Sequence, residues 1–233
     1  MNQTDFEGKR AKLNLSSRLR DLGYKAPMQW VIRVIVAIIF GANLGALTAL
    51  WFGGMISGGP RIGNAIDVDN WQSDWSIGSE NANPYVRARV ARNGLMGLRK
   101  EEAVYFLKTE DDDGETLTEA CTYRVSGDKY PAQWWSITLY DAENRLPMNE
   151  DGRLSYDQTQ AERGTNGQTQ SWAFQVSAKA PDTDEIHWVS SKSGGNFDLT
   201  LRLYQPSDAL LEDPGETLVP PRIERLFCGS ESS

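Results

Sequence analysis

The chain has 233 residues, enough for one main domain with accessory segments, and a formal net charge of −8. Residues 1–33 hold seven basic and three acidic residues, a net charge of +4, so that −12 remains for residues 34–233. This acidic balance argues against a nucleic-acid partner. The single histidine, with no CxxC pair and no phosphate-binding glycine motif, leads us to expect no metal and no cofactor.

Residues 34–52 form an apolar run, VIVAIIFGANLGALTALWF, in which 15 of 19 residues are hydrophobic. As a helix rising about 1.5 Å per residue, it covers roughly 28 Å, which is about the hydrocarbon thickness of a bilayer. The run exceeds the apolar core of roughly 7–15 residues in a cleavable signal peptide. We therefore expect an uncleaved transmembrane α-helix in the lipid bilayer, in preference to a buried core helix.

Lysine and arginine collect on the cytoplasmic flank of a membrane span. Here basic residues precede the span and acidic residues follow it, so we expect a single-pass protein of the inner membrane with its N-terminus in the cytoplasm. The expected segments are a cytoplasmic basic tail at 1–29, the transmembrane helix at 30–53, a glycine-rich linker at 54–82 and a periplasmic domain at 83–229.

Gly41 and Gly45 form a GxxxG motif within the span. Small residues at this spacing let two helices approach closely in lipid. The motif indicates either contact with a second copy or another membrane protein, or an ordinary helix that faces lipid.

The predicted periplasmic part begins with a short helix and continues as strands. Asn83 is a candidate helix N-cap and Pro84 suits the first helical position. From Ala103 onward, apolar residues alternate with polar ones in short segments separated by Gly, Asn and Asp turns. This pattern predicts a mainly β, antiparallel β-sandwich or jelly-roll-like domain. Several prolines between residues 206 and 221 predict an extended strand over that stretch.

Cys121 and Cys228 are the only cysteines, and both lie in the part expected outside the cytoplasm, where disulfides persist. We favour a disulfide between them over two free buried thiols. The loop it closes is about 107 residues long, for which the chain-entropy estimate is roughly 4–5 kcal/mol of stabilisation.

Two adjacent tryptophans occupy the predicted strand WWSITLY, where neighbouring side chains point to opposite faces. Trp135 shares its face with Ile137 and Leu139, which is typical of a core. Trp134 and Tyr140 share the other face with polar residues. Exposed aromatic rings on one sheet can stack on sugar rings, so these two side chains are candidates for binding a glycan, although packing is the commoner role of tryptophan.

Asn149, Arg153 and Tyr156 follow this strand and are further candidates for a ligand site, because an arginine can bind a carboxylate or phosphate with two hydrogen bonds. The alternative is that Arg153 supports a long loop. His187 lies beside acidic residues without a G-x-S-x-G nucleophile motif, so we expect no catalytic residue there.

The order of segments NPYVRARVARNGL, ACTYRV, AQWWSITLYD, NEDGRLSYD, FDLTLRLYQP and PPRIERLFC resembles the bacterial family catalogued as domain of unknown function 1214, from about residue 83 to residue 228. The resemblance implies a β-sandwich domain, sometimes anchored to a membrane in the cell envelope. It also supports the disulfide between Cys121 and Cys228. It supplies no catalytic residues.

These observations lead us to expect a membrane-anchored periplasmic domain that acts as a non-enzymatic binding or accessory module. Two alternatives stay open. One is a hydrolase-like or lyase-like enzyme directed at envelope glycans. The other is an accessory subunit of a larger membrane complex, docked through the GxxxG face.

Overall fold

The structure is a computed structural model that describes residues 28–56, 63–79, 82–92, 97–164, 171–183 and 185–229. The chain divides into two compact units, Met1–Leu50 and Trp51–Ser233. Residues 1–27, most of the predicted basic tail, lie outside the described residues.

The first helix, α1 (Met28–Phe52), has 25 residues, none of them buried, and it is long and apolar enough to cross a membrane. Two polar side chains in the middle of the run bond within the helix: Asn43 and Thr48 donate hydrogen bonds of 2.8–3.0 Å to main-chain carbonyls three or four residues earlier. These bonds satisfy one donor of each side chain within the helix itself, as an apolar medium requires. No atom lies within 4 Å of a Cβ built on Gly41 or Gly45. A partner helix at these glycines stays a prediction.

The second unit is mainly β with antiparallel sheets, as predicted, and its described residues form ten strands and four short helices. The strands are β1 (Ala65–Val68), β2 (Trp71–Asp74), β3 (Ala103–Lys108), β4 (Cys121–Asp128), β5 (Ala132–Asp141), β6 (Ser155–Asp157), β7 (Ser171–Ser177), β8 (Trp188–Ser190), β9 (Phe197–Pro206) and β10 (Arg222–Cys228). The helices are α2 (Pro84–Arg92), α3 (Gln158–Gly164), α4 (Asp208–Glu212) and α5 (Pro214–Thr217).

The strands form a six-stranded sheet in the order β1-β2-β3-β9-β5-β6 and a four-stranded sheet in the order β10-β4-β7-β8. Neighbouring strands are antiparallel except for β7 and β8. At the centre of the larger sheet, β9 pairs with β3 on one side and with β5 over its whole length on the other. These three strands therefore determine which side chains share each face.

The core lies between the two sheets and is built by strict alternation. Trp135 is 3% exposed, whereas its neighbour Trp134 is 36% exposed, so the predicted division of the two tryptophans is confirmed. The buried inner positions of the central strands are Val104 and Phe106 on β3, Trp135, Ile137 and Leu139 on β5, and Phe197, Leu199, Leu201 and Leu203 on β9.

Aromatic rings join the two sheets. The ring of Trp135 on β5 lies 4.6 Å from the ring of Trp172 on β7, measured between centroids. Beside this pair, Tyr156 on β6 stacks on Phe174 of β7 at 4.6 Å. Offset and tilted ring pairs at such distances contribute roughly 0.5–1.5 kcal/mol beyond the burial of their area. The larger and smaller sheets are thereby held in one relative position.

The predicted disulfide between Cys121 and Cys228 is confirmed. The two cysteines are register partners at matching ends of β4 and β10. The bond therefore fixes the C-terminal strand to its neighbour at the open edge of the smaller sheet, and it leaves no free cysteine among the described residues.

The prediction of an extended strand between residues 206 and 221 is wrong over the first part of that stretch. The short helices α4 and α5 occupy residues 208–217, with Ser207 and Asp213 as their N-caps. Pro214 stands at the start of α5. An amide hydrogen at that position would have no acceptor within the helix, so a proline costs no hydrogen bond there.

Gly127 on β4 leaves room for the side chain of Trp172. Gly127 is the register partner of Trp172, and a Cβ at Gly127 would lie 2.6 Å from the Cζ2 atom of that indole. The indole is also held by a 2.9 Å hydrogen bond from its Nε1 to the Asp128 carbonyl. A methyl group at this position therefore forces the buried indole of Trp172 to move.

We expect Gly127→Ala to lower the free energy of unfolding by about 1–3 kcal/mol, the usual cost of overpacking a core. Urea titration of the full chain in detergent, followed by tryptophan fluorescence, measures the change. Gly229→Ala is the matched control, because its Cβ would lie at an ordinary 3.7 Å from the Ala120 carbonyl. Equal effects of the two substitutions would contradict the prediction.

Candidate functional site

The outer face of the six-stranded sheet carries a continuous polar surface across β5 and β9. Antiparallel register pairs place Trp134 opposite Tyr204, Ser136 opposite Arg202, Thr138 opposite Thr200 and Tyr140 opposite Asp198. Four of these side chains are buried although they face away from the core: Ser136, Thr138, Asp198 and Thr200. Something other than the second sheet therefore covers this face.

A cavity of about 250 Å³ lies on this face, with α2 and the β1–β2 hairpin as its walls. Its sheet side is lined by Tyr105, Leu107, Tyr140 and Thr200, and its helix side by Val86 and Val90. Val86 and Val90 are four residues apart and so lie on one face of α2. Asn83 caps this helix as predicted, its Oδ1 accepting from the Tyr85 amide at 2.9 Å.

The rim of the cavity is held by turns. Asp74, at the end of β2, accepts hydrogen bonds from the main-chain amides of Asn64 and Ser76 at 3.0 and 2.8 Å. Asn144 lines the opposite rim and adopts a positive φ of 60° in the turn that closes on the Asp141 carbonyl. An asparagine tolerates this conformation better than most residues do.

Arg202 organises the polar groups beside the cavity. Its Nη2 donates a short hydrogen bond to the hydroxyl of Tyr140, and its Nη1 lies 3.5 Å from the Thr138 hydroxyl. The guanidinium carbon is 5.4 Å from the centroid of the Tyr140 ring. Because arginine can only donate, the Tyr140 oxygen is the acceptor in their bond, and its own hydrogen is not used there.

Asp198 is a carboxyl group with 6% exposure on the same face. Its Oδ1 accepts a 2.9 Å hydrogen bond from the Thr200 hydroxyl, which lines the cavity. Burial raises the pKa of Asp198 to about 7; the bond from Thr200 and the charge of Arg202 oppose the rise, and the Asp141 carboxylate adds to it. Near neutral pH, this carboxyl group is therefore divided between its protonated and ionised forms.

Tyr105 lies on the neighbouring strand β3, opposite Arg202, and Tyr140 lies on the other side of β9, opposite Asp198, so the two tyrosines are placed diagonally across β9. Burial is the main cause that raises the pKa of the Tyr105 phenol, followed by nearby Tyr204, while Arg202 acts in the opposite direction. The phenol thus stays protonated and able to donate a hydrogen bond. Two tyrosine side chains, one from each neighbour of β9, therefore line a single small cavity.

The structure separates the five residues that the sequence suggested for a ligand site. Trp134 and Tyr140 lie on the outer face of β5, as predicted, but only Tyr140 lines the cavity. The ring of Trp134 packs against Tyr204 at 5.2 Å, toward the other end of the strand. Whether Trp134 binds a glycan stays a prediction.

Tyr156, Asn149 and Arg153 lie elsewhere. Tyr156 is buried in the core, opposite Ile137, and burial raises the pKa of its phenol to about 12. Asn149 donates to the Lys192 carbonyl at 2.8 Å, and the main-chain carbonyl of Arg153 accepts from the Ser190 amide. Asn149 and the Arg153 main chain thus hold the β5–β6 loop to the segment after β8, while the Arg153 side chain is exposed.

Sequence reasoning did not single out Tyr105, Asp198 or Arg202. The signal available in the sequence is the alternation in FDLTLRLY, which puts Asp198, Thr200 and Arg202 on one face of a strand. A polar outward face is normally a solvated one. Only the position of α2 over the sheet turns it into the floor of a cavity.

Residues 102–208 match the model of the family described as "Protein of unknown function (DUF1214)". The resemblance predicted from the sequence is thus confirmed over this segment, which runs from the start of β3 to the start of α4. It contains the floor of the cavity, whereas α2 and the β1–β2 hairpin lie before it. No curated protein matches the chain.

Two solved structures are similar to parts of the chain. The VPA0106 protein from Vibrio parahaemolyticus is 24% identical over 63% of this chain and 36% of its own, with a TM-score of 0.47. An uncharacterised protein from Burkholderia cenocepacia is 13% identical over 53% of this chain and 29% of its own, with a TM-score of 0.38. The chain therefore spans about a third of the length of either protein.

We expect Asp198→Asn to stabilise the fold relative to the parent chain, and to do so more at pH 8 than at pH 4. The pKa of Asp198 is about 7 in the folded chain, above its ordinary 3.8, so the folded state binds more protons than the unfolded state between these values. The contribution of this group to stability therefore falls as pH rises from about 4 to 7, by at most about 4 kcal/mol at 1.36 kcal/mol per unit.

Thermal unfolding of the full chain and of the variant, compared at pH 4 and pH 8, measures this effect. Glu212→Gln, which removes an exposed carboxyl group, is the control and should shift the midpoint equally at both pH values. A difference between Asp198→Asn and the parent chain that does not change with pH would contradict the prediction.

Proposed function

We propose that this chain, whose residues 102–208 form a domain of the DUF1214 family, is a membrane-anchored binding module whose ligand occupies the cavity under α2. One observation carries the proposal: a cavity that is mostly apolar but has hydroxyl groups converging on it, on a sheet face that would otherwise be in water. Small-molecule sites commonly combine apolar walls with a few placed polar groups.

The cavity also limits the ligand. Its volume of about 250 Å³ lies below the roughly 300–1,000 Å³ of sites for drug-sized molecules, so it suits a small molecule about the size of one sugar ring. The apolar side comes from Leu107, Val86 and Val90. The polar side includes Tyr105, Tyr140 and Thr200 on the sheet, which can orient such a molecule, and the charged Arg89 and Asp74 on the walls.

The anchor is part of the proposal. We place α1 in the inner membrane with residues 1–29 in the cytoplasm and residues 83–229 in the periplasm. The basic residues before the helix and the acidic residues after it support this orientation. The disulfide between Cys121 and Cys228 supports an oxidising compartment for the domain.

A hydrolase-like or lyase-like activity is the second candidate function. The observation in its favour is Asp198, since general acids act best when their pKa lies near the working pH. The Thr200 hydroxyl, however, stands between that carboxyl group and the cavity as its hydrogen-bond donor. The favoured function is therefore binding, and product formation from a bound ligand would point to the second candidate.

The orientation predicts the result of protease treatment. In intact spheroplasts, we expect added protease to remove an epitope tag at the C-terminus and to leave a tag at the N-terminus untouched until the cells are lysed. The reason is that only the segment after α1 faces the outside. Retention of the C-terminal tag in intact spheroplasts, with loss after lysis, would place the domain in the cytoplasm.

The cavity predicts the effect of filling it. We expect Val90→Trp to abolish binding of small uncharged cyclic compounds to the full chain in lipid nanodiscs, because the indole would occupy the space that the ligand needs. Ala91→Trp adds the same side chain at the exposed neighbouring position of α2 and is the matched control. Isothermal titration calorimetry measures both. Binding that survives Val90→Trp would move the site away from this cavity.

A further inference from the structure

The hydroxyl of Tyr140 can donate a hydrogen bond into the cavity. Its oxygen is engaged by Arg202, and in the part of the chain that the structure describes it has no other hydrogen-bond partner. The phenolic hydrogen is therefore available to a ligand. The guanidinium behind it also withdraws electron density through this bond, which makes the hydroxyl a stronger donor, as in other hydrogen-bond chains.

The hydroxyl of Tyr105 is a second donor. Among the described residues it has no hydrogen-bond partner, and its raised pKa keeps the hydrogen in place. Tyr105 stands opposite Arg202 in the register of β3 and β9. Both phenols therefore lie beside the same guanidinium, one on each side of β9.

The net charge around the cavity depends on whether Asp198 is protonated. The charged or titratable side chains that face it or lie next to it are Asp198, Arg202 and Tyr204 on β9, Tyr140 and Asp141 on β5, Tyr105 on β3 with Glu102 just before that strand, Asp74 on β2 and Arg89 on α2. Asp74 is committed to the rim turn. Asp198 is the only carboxyl group on β9 and bonds to the Thr200 hydroxyl that lines the cavity, and its protonation changes the local charge by one unit.

We propose that the cavity binds a small carboxylate, whose oxygens accept hydrogen bonds from the hydroxyls of Tyr105 and Tyr140 beside the Arg202 guanidinium, and that Asp198 takes up a proton when this anion binds. The proposal rests on the cavity being the ligand site. Two hydroxyl donors backed by a cation match the acceptor-only chemistry of a carboxylate. A second negative charge at Asp198 would oppose that anion, so proton uptake removes the repulsion.

The coupling has a defined direction. Binding of an anion raises the pKa of Asp198, and by linkage protonation of Asp198 raises the affinity for the anion. Since the pKa of Asp198 is about 7 in the free protein, affinity for a carboxylate falls as pH rises through this value. If only the protonated form binds, the dissociation constant increases by about tenfold between pH 6 and pH 8.

Benzoate and benzamide form a suitable pair of probes, because they share one ring and differ in the charge of the group that the phenols would bind. Calorimetric titration uses the full chain in nanodiscs of zwitterionic lipid at pH 6 and pH 8. We expect benzoate to bind several-fold to about tenfold more tightly at pH 6, and benzamide to bind equally at both values. Val90→Trp should abolish both.

Three variants assign the roles. Asp198→Asn should bind benzoate equally at pH 6 and pH 8, at the tighter of the two affinities. Tyr105→Phe and Tyr140→Phe should each weaken benzoate binding by about tenfold or more, since each removes a donor to a charged acceptor. Tyr204→Phe, on the same face but outside the cavity lining, is the matched control and should change affinity by less than about twofold.

The outcomes separate this inference from the proposed function. One outcome is that benzamide binds and Val90→Trp abolishes this binding, while benzoate does not bind or binds without pH dependence. In that case the carboxylate inference is overturned, and the proposed binding function stands. If pH dependence persists in Asp198→Asn, the proton belongs to another group and the role of Asp198 is overturned. If neither probe binds in the cavity, both proposals fail.

Discussion

The contact of Trp135 with Trp172 is the constraint from which the rest of the domain follows. It joins β5 of the larger sheet to β7 of the smaller one, and a glycine on β4 leaves the space that the second indole needs. Because side chains alternate along a strand, burying Trp135 fixes the face of every other residue on β5. Tyr140 is thereby directed away from the core, and through the register its neighbours Asp198 and Thr200 on β9 are as well.

The outer face shows a conflict between stability and chemistry. A buried carboxyl group with a raised pKa destabilises the fold when it ionises, and an apolar residue at position 198 would avoid that cost. Departures of this kind from a stable arrangement tend to mark functional sites. Here the carboxyl group of Asp198 accepts a hydrogen bond from Thr200, which lines the cavity. Arg202 on the same strand donates a hydrogen bond to Tyr140, which also lines the cavity. The unfavourable group thus lies one hydrogen bond away from the cavity lining.

The cavity is assembled from two kinds of sequence. Its floor comes from the segment that matches the DUF1214 family, and its walls come from α2 and the β1–β2 hairpin, which precede that segment. The floor presents hydroxyl groups and the walls present Val86 and Val90. Changes in the walls can therefore alter the size of the cavity without disturbing the hydrogen-bonding groups on the sheet.

The sequence by itself determined the elements with strong local signals. The apolar run of α1, the N-cap at Asn83, the alternating strands and the division of Trp134 from Trp135 all followed from spacing and composition. Each depends on neighbours along the chain and so needs no knowledge of the fold. The two cysteines favoured a disulfide over two free thiols, and the structure decided between them. The helices at 208–217 were missed because proline at the start of a helix resembles proline in an extended strand until the caps are seen.

Only the tertiary structure decided where a site could form. Tyr105, Tyr140 and Asp198 are far apart in the sequence and come to lie on one face of the sheet because β3 and β5 flank β9. Conversely, Tyr156 and Arg153 are close to each other in the sequence, but the side chain of Tyr156 is buried in the core and the side chain of Arg153 is exposed to solvent. Alternation tells which face of a strand a residue occupies, but the burial of an outward face depends on what packs over it. That covering is a long-range contact, so no local pattern in the chain encodes it.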